Sequence, residues 1–190
     1  MIRIGIIGNI GSGKSYVAQN FGYPVFNADH EVTQLYQRDK KIFTKLKKSL
    51  PKYIQSFPIE KKEISNAILA NKNNLKKIVK IVHTEIRKKM NDFLKKYKNR
   101  KFVILDIPLL LENKINKKKD ILVFVQSNQS DVLKRLKKRN NFNQKILKKF
   151  KNIQYSTSYK RNKSHFIIKN NFKKRSVNDG IRNVLKSLNK

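Results

Sequence analysis

Cysteine is absent from the sequence, so no disulfide braces it and no thiolate is available to ligate a metal. A disulfide-supporting compartment is not called for, and the cytoplasm is the expected location. Long apolar runs are missing too. The compact stretches "FVILDIPLLL" and "ILVFV" fall short of the roughly 20 apolar residues a bilayer span requires. The first residues lack a long apolar core followed by a small-residue cleavage site, so no secretory signal is expected. No Pro/Gly/Ser-rich linker and no internal repeat divides the chain, so its 190 residues are expected to form one domain.

Acidic residues are scarce: 12 Asp and Glu stand against 46 Lys and Arg, a net charge of +34. That balance suits a polyanionic partner such as nucleic acid, or an anionic membrane surface. It suits better the lysine, asparagine and isoleucine codons of an AT-rich genome, since tryptophan is absent and the lysines spread over most of the chain after residue 38. In either case the field favours small anionic substrates and makes their binding salt-sensitive.

What the sequence does contain is a regular alternation. Residues 2–7 read as a buried strand, followed by a glycine turn and a helix from about Lys14 to Phe21. A short strand around Val25–Phe26 ends before Asp29. From about Glu31 to Tyr97 the pattern is helical, interrupted by "LPKYIQSFP" and carrying apolar residues at spacings of three and four. Residues 102–105 and 121–125 are continuous apolar runs, as in parallel strands covered on both faces. Helices are expected over about 129–139, in "QKILKKFKNIQ" and from about Val177 onward, with a last strand in "HFIIK". The expected fold is α/β, a five-stranded parallel sheet flanked by helices. Such sheets bind ligands beyond the carboxyl ends of their strands, where Gly8, Asp29, Asp106 and Gln126 fall.

"GNIGSGKS" fits the phosphate-loop pattern G-x-x-x-x-G-K-[ST], with Gly8, Gly13, Lys14 and Ser15 in place. Glycines let successive backbone N–H groups wrap a phosphate, and the loop follows an apolar strand and opens a helix, as the motif requires. The ATP contacts are therefore expected from Asn9, Ile10, Gly11, Ser12, Gly13, Lys14, Ser15 and Tyr16, with Lys14 on the β- and γ-phosphates and Ser15 on Mg²⁺. Asp106, at the end of "FVIL", suits either a metal-holding carboxylate or a cap on the turn before Pro108. Asp29 suits either a general base for an acceptor hydroxyl or the N-cap of the next helix. A carboxylate with an ordinary pKa of about 4 is already charged at neutral pH, which suits a base. Arg135 and Arg139 lie four apart on one expected helix face, where arginines either neutralise a transferring phosphoryl group or sit in solvent.

Taken in order, "ADH", "VHTEIR", "DIPLLLEN", "LKRLKKR", "NIQYSTSYKR" and "HFIIKNN" resemble the dephospho-coenzyme A kinase family across nearly the whole chain. That family reads G-G-I-G-S-G-K-S, D-A-D, a histidine followed by proline, P-L-L-x-E, an arginine-bearing helix, a glutamine and A-D-x-V-I-x-N. The chain departs from it at Asn9, Tyr16, Asn27 (the first aspartate of D-A-D), Thr84 and Ser164-His165. The resemblance implies a P-loop kinase fold and transfer of the ATP γ-phosphoryl group to the ribose 3′-hydroxyl of dephospho-CoA. It implies catalytic roles for Asp29, Lys14 and Arg139, with Arg139 also on ATP. Acceptor contacts are implied from Asp29, Lys61, His83, Pro108, Leu109 and Glu112, although the residues alone equally allow a solvated Lys61, a packing or hydrogen-bonding His83 and a structural Glu112, and Asn170 either meets the adenine or turns the chain. The core would cover about 1–30 and 98–190, a helical acceptor-binding region about 31–97 and a lid about 139–160. The expected partner is a small molecule, with no obligate nucleic acid, no membrane span and an open oligomeric state. A nucleoside monophosphate kinase-like enzyme and a nucleic-acid-binding P-loop protein are the alternatives.

Overall fold

The computed structural model describes residues 1–138 and 143–189. In chain order the elements are β1 (Ile2–Gly8), α1 (Lys14–Gln19), β2 (Val25–Asn27), α2 (Ala28–Arg38), α3 (Lys40–Ser49), α4 (Lys61–Ala70), α5 (Lys72–Lys96), β3 (Phe102–Asp106), β4 (Ile121–Gln126), α6 (Gln129–Lys137), α7 (Gln144–Ile153), α8 (Thr157–Lys163), β5 (Phe166–Lys169) and α9 (Lys174–Leu188). They fall into two compact units. One comprises Met1–Asn27, Tyr97–Asn143 and Phe150–Lys190, the other Ala28–Lys96 with Gln144–Lys149.

The first unit holds the expected five-stranded sheet, in the order β2-β3-β1-β4-β5, with every pairing parallel. β3 is buried along its whole length and β1 from Arg3 onward, which explains their continuous apolar runs. On one face Val17 and Ala18 of α1 and Val177, Ile181 and Val184 of α9 pack with Ile4, Ile6, Phe102, Ile104, Val123 and Val125. Gly180 lets α9 lie close on β5, because a Cβ there would stand 2.8 Å from the Ile168 Cγ2. The strand order reverses direction at β1, so the chain leaving Gly8 emerges at the crevice where open α/β sheets hold ligands.

The second unit is helical. The 25-residue α5 buries Ile78, Val82, Ile86 and Met90, one stripe at four-residue spacing. Asp39 caps α3 by accepting from the Ile42 N–H at 3.0 Å. Glu60 and Glu63 form a capping box at the start of α4. Burial works to raise the Glu63 carboxyl, but N–H groups of Gln55, Ser56 and Glu60 donate to it and hold it below its ordinary value.

The starts of two helices and the presence of a third depart most from the sequence reading. α2 begins at Ala28 and α9 at Lys174, each about one turn earlier than expected, because their polar first turns precede the apolar residues that reveal the period. α8 was not anticipated as a helix. It buries only Lys160, so no apolar stripe announces it, and its start is fixed by the Ser156 hydroxyl, which accepts from the Tyr159 N–H at 3.2 Å. At Ser164-His165, His165 extends the β4–β5 pairing: its N–H donates to the Leu122 carbonyl at 2.8 Å and its Nδ1 accepts the Leu122 N–H at 3.0 Å.

The starts of β1 and β4 are joined by a buried ion pair. Arg3 donates to the Asp120 carboxylate at 2.8 Å, and the Lys117 N–H donates to the same oxygen at 2.9 Å. Truncating one partner leaves a buried charge unanswered. Asp120→Ala should lower unfolding free energy by about 3–5 kcal/mol, the scale of breaking such a pair. Urea denaturation checks this, and a loss below about 1 kcal/mol, the scale of an exposed pair, would show that the pair does not brace the sheet.

Candidate active site

The loop leaving β1 returns to the sheet side at α1 through Gly13, whose backbone is left-handed at φ 86. Only glycine adopts this conformation without strain. A Cβ there would also collide with the Asn170 amide nitrogen. The Lys14 ammonium donates to the Asn9 carbonyl at 2.9 Å and the Gly8 carbonyl at 3.3 Å, so its chain lies over the loop. The Asn9 amide donates to the Thr157 hydroxyl at 2.8 Å, tying the loop to the start of α8. Tyr16 projects from α1 and is exposed. Ile10, with Asn9 and Ser12, lines a cavity of about 410 Å³ whose other walls are the end of β4, α6 and residues 151–157.

Asp106 is buried at the end of β3 and faces the loop. The Asn27 amide, paired with it in register, donates to its Oδ2 at 2.7 Å. Burial pushes the Asp106 carboxyl above its ordinary value, while the Ser15 hydroxyl donating to it and the nearby Lys14 ammonium pull it back. A buried carboxylate beside a hydroxyl is a hard oxygen donor set of the kind Mg²⁺ takes, with its remaining positions left to water and phosphate. Burial disfavours the carboxylate's charge unless a cation answers it. The residues present therefore fit the ion. Among the described residues, no cluster of three or more His, Asp or Glu forms a separate metal site.

In the segment after β3, Leu110 and Leu111 are buried, Pro108 is half-buried, and Leu109 turns the chain at φ 56. The Glu112 Oε1 accepts from the Lys160 ammonium at 3.2 Å and the Tyr155 N–H at 2.9 Å, so the first turn of α8 is tied to this segment. Asn170, 2% exposed, donates from its amide to the Ser12 carbonyl at 2.9 Å. The Arg135 guanidinium lies 4.5 Å from the Phe172 ring centroid, a cation–π contact. Arg139 lies outside the described residues.

Three candidates belong to the helical unit. Asp29 is exposed in the first turn of α2, past the capping position itself, and its carbonyl accepts from the Thr33 hydroxyl at 2.9 Å. Lys61 opens α4 and is exposed. His83 is half-buried on α5. Burial, and then the Arg87 charge, hold its imidazole below the ordinary histidine value.

Sequence reasoning gave no role to four residues that the geometry makes prominent, although it placed Lys160 at the far end of the expected lid. Asn27 stood out only as a departure from a pattern, yet it orients Asp106. Ser127 and Thr157 carry no motif, and the Ser127 hydroxyl donates to the Ser12 carbonyl at 2.8 Å. Lys160 is 2% exposed but is indistinguishable by sequence among so many lysines.

A family model described as dephospho-CoA kinase matches residues 2–175. A dephospho-CoA kinase of Wolbachia pipientis wMel is 36% identical over 191 residues, covering 98% of this chain and 97% of the relative. One from Rickettsia bellii (strain RML369-C) is 33% identical, covering 99% and 98%. A Thermus thermophilus protein of known crystal structure superposes with a TM-score of 0.80 at 25% identity, covering 98% and 97%. The dephospho-CoA kinase of Campylobacter jejuni superposes at 0.61 with 21% identity, covering 97% and 96%, and shares the fold.

The His83 shift has a defined sign. A base whose folded pKa is depressed binds fewer protons folded than unfolded, so its contribution to stability is present above the unfolded value of about 6.5 and is lost as pH falls through the folded value. An NMR titration should place the His83 midpoint below that value. Arg87→Ala should raise it only part of the way, because burial is the larger cause. A midpoint at or above the ordinary value would contradict the burial seen here.

Proposed function

The chain belongs to the dephospho-CoA kinase family, and on that premise we propose how its residues carry the γ-phosphoryl group of ATP to the ribose 3′-hydroxyl of dephospho-CoA, giving coenzyme A and ADP in the last step of coenzyme A synthesis. The observation that carries the reading is the meeting of Lys14, Ser15 and Asp106 beside a glycine loop at the ends of β1 and β3. Positioning and charge stabilisation dominate phosphoryl transfer, and these residues supply both.

In this proposal the loop N–H groups from Asn9 to Tyr16 hold the ATP phosphates. Lys14 exchanges its loop carbonyls for phosphate oxygens. Ser15 and Asp106 would hold Mg²⁺, with the Asn27 amide steadying the Asp106 carboxylate by donating to its Oδ2. The ion, when bound, neutralises phosphate charge. Asp29 accepts the proton of the 3′-hydroxyl as its oxygen bonds to the γ-phosphorus and the bond to the β–γ bridging oxygen breaks, releasing ADP. His83 is neutral near pH 7 and contacts the acceptor as a hydrogen-bonding group, beside Lys61 on its phosphates. Pro108 and Leu109 shape the acceptor side, and Glu112 acts there while holding Lys160. Arg139 is proposed from its sequence position alone to meet charge on the moving phosphoryl group. The cysteine-free chain suits the cytoplasm, and none of its described helices is long and apolar enough to cross a membrane. The partner proposed is the small-molecule acceptor, with no obligate nucleic acid.

An acceptor screen with ATP and Mg²⁺ tests the substrate: dephospho-CoA should be phosphorylated in preference to AMP, CMP, adenosine and shikimate. ADP release stimulated by RNA, without turnover of dephospho-CoA, would overturn the reading. Asp29→Asn tests the base. Asparagine keeps the shape but takes no proton, so kcat should fall on the order of 10²-fold or more while ATP affinity persists. Near-normal turnover with an intact thermal transition would remove Asp29 from the chemistry.

A further inference from the structure

We propose that Asn170 is a positioning residue for the nucleotide phosphates, acting through the Ser12 carbonyl of the phosphate loop. Asn170 follows β5 and is nearly inaccessible to solvent. Both ends of its amide are committed. Its Nδ2 donates to the Ser12 carbonyl at 2.9 Å, and its Oδ1 accepts the Phe172 N–H at 2.9 Å. Its own N–H donates to the Gln126 carbonyl at 2.8 Å, which fixes the backbone from which the amide reaches. The Ser127 hydroxyl, just past β4, donates to the same Ser12 carbonyl at 2.8 Å. One loop carbonyl thus takes two donors from the ends of two neighbouring strands.

The consequence follows from peptide geometry. In a planar trans peptide the carbonyl and the next N–H point in opposite directions. Holding the Ser12 carbonyl toward the ends of β4 and β5 turns the Gly13 N–H away from them, to the side on which a phosphate must sit. A loop whose N–H groups are already aimed does not lose binding free energy to ordering. Ser12 is 2% exposed, so water does not readily replace a missing donor at its carbonyl. The amide packs so closely that a Cβ on Gly13 would meet it.

Phe172 supports the same reading. Its φ of 64 is a left-handed conformation that an aromatic residue rarely adopts, and such conformations persist where the surroundings impose them. Here the Asn170 Oδ1 holds its N–H, and Arg135 covers its ring. For the amide to turn toward an adenine, it would have to release both the loop and this strained residue.

The inference rests on the nucleotide half of the proposed reaction alone, so its test omits dephospho-CoA. Binding of Mg²⁺–ADP and of inorganic tripolyphosphate would be measured by calorimetry for the wild type, Asn170→Ala and Ser127→Ala, with thermal midpoints on the same samples. Loop positioning predicts that each variant loses about tenfold in affinity, the scale of one net hydrogen bond, and loses it equally for both ligands. A direct adenine contact predicts that Asn170→Ala weakens ADP alone and that Ser127→Ala weakens neither. That pattern, or unchanged tripolyphosphate binding in folded variants, would overturn the proposal. If Asn170→Ala does not fold, Ser127→Ala decides, because it removes a donor to the same carbonyl. Failure of the wild type to bind tripolyphosphate or ADP would reject the phosphate-loop reading and this one with it.

Discussion

β1 lies at the centre of the sheet, buried on both faces, and the site is arranged around that constraint. Its backbone groups are paired on one side by β3 and on the other by β4. That pairing stops at Gly8, and the next peptides must find partners of another kind, because buried backbone polar groups are costly when left unpaired. The protein answers several of the carbonyls itself. Lys14 takes those of Gly8 and Asn9, while Ser127 and Asn170 take that of Ser12. A loop whose carbonyls are held in this way presents its N–H groups elsewhere, which is the requirement of an anion cradle. The glycines permit the turn, and the side chains around it choose its orientation.

Strand register sets the chemistry beside the loop. β2 and β3 pair so that Asn27 stands opposite Asp106 at their carboxyl ends. A slip of one residue would send Asp106 to the other face of the sheet. The register also gives a physical reason for asparagine at position 27, where the resembling family has aspartate. Two carboxylates so placed would repel each other, whereas the Asn27 amide donates to Asp106 and leaves one negative charge to face Lys14 and Ser15.

The parallel sheet was legible because its strands are buried on both faces and read as uninterrupted apolar runs, and the phosphate loop because its motif sits between a strand and a helix. The tie formed by Lys160 and Glu112 was not. A lysine is informative only when it is rare, and this chain has 46 basic residues. Its burial depends on α8, a helix with no apolar stripe to reveal it. Acids behave in the opposite way. With only 12 in the chain, each carries information, and many have defined structural partners: Asp39 and Glu63 at helix starts, Asp120 and Glu112 in buried ion pairs. Asp106 was legible by its place at the end of an apolar strand, although its partner Asn27 was visible only as a mismatch. Hydrogen bonds from Ser127 or Asn170 to a backbone carbonyl have no sequence signature, since they depend on where two strands end in space.

The net charge of +34 and the oriented loop do different work on an anionic substrate. Long-range attraction raises the local concentration of any phosphate compound and weakens as salt shortens its reach to about 8 Å at physiological ionic strength. It does not distinguish one anion from another, because exposed lysines are mobile point charges without fixed geometry. Selection requires donors held at set directions. The interactions that set those directions are short and buried or partly buried: 2.8 Å and 2.9 Å to the Ser12 carbonyl, and 2.7 Å between Asn27 and Asp106. Buried interactions are screened far less than exposed ones. Surface lysines other than Lys61 contribute through that field, and an excess of them is compatible with a precise site. In the proposed arrangement a neutral amide or hydroxyl behind the loop sets the direction of the phosphate donors, which mobile surface cations do not.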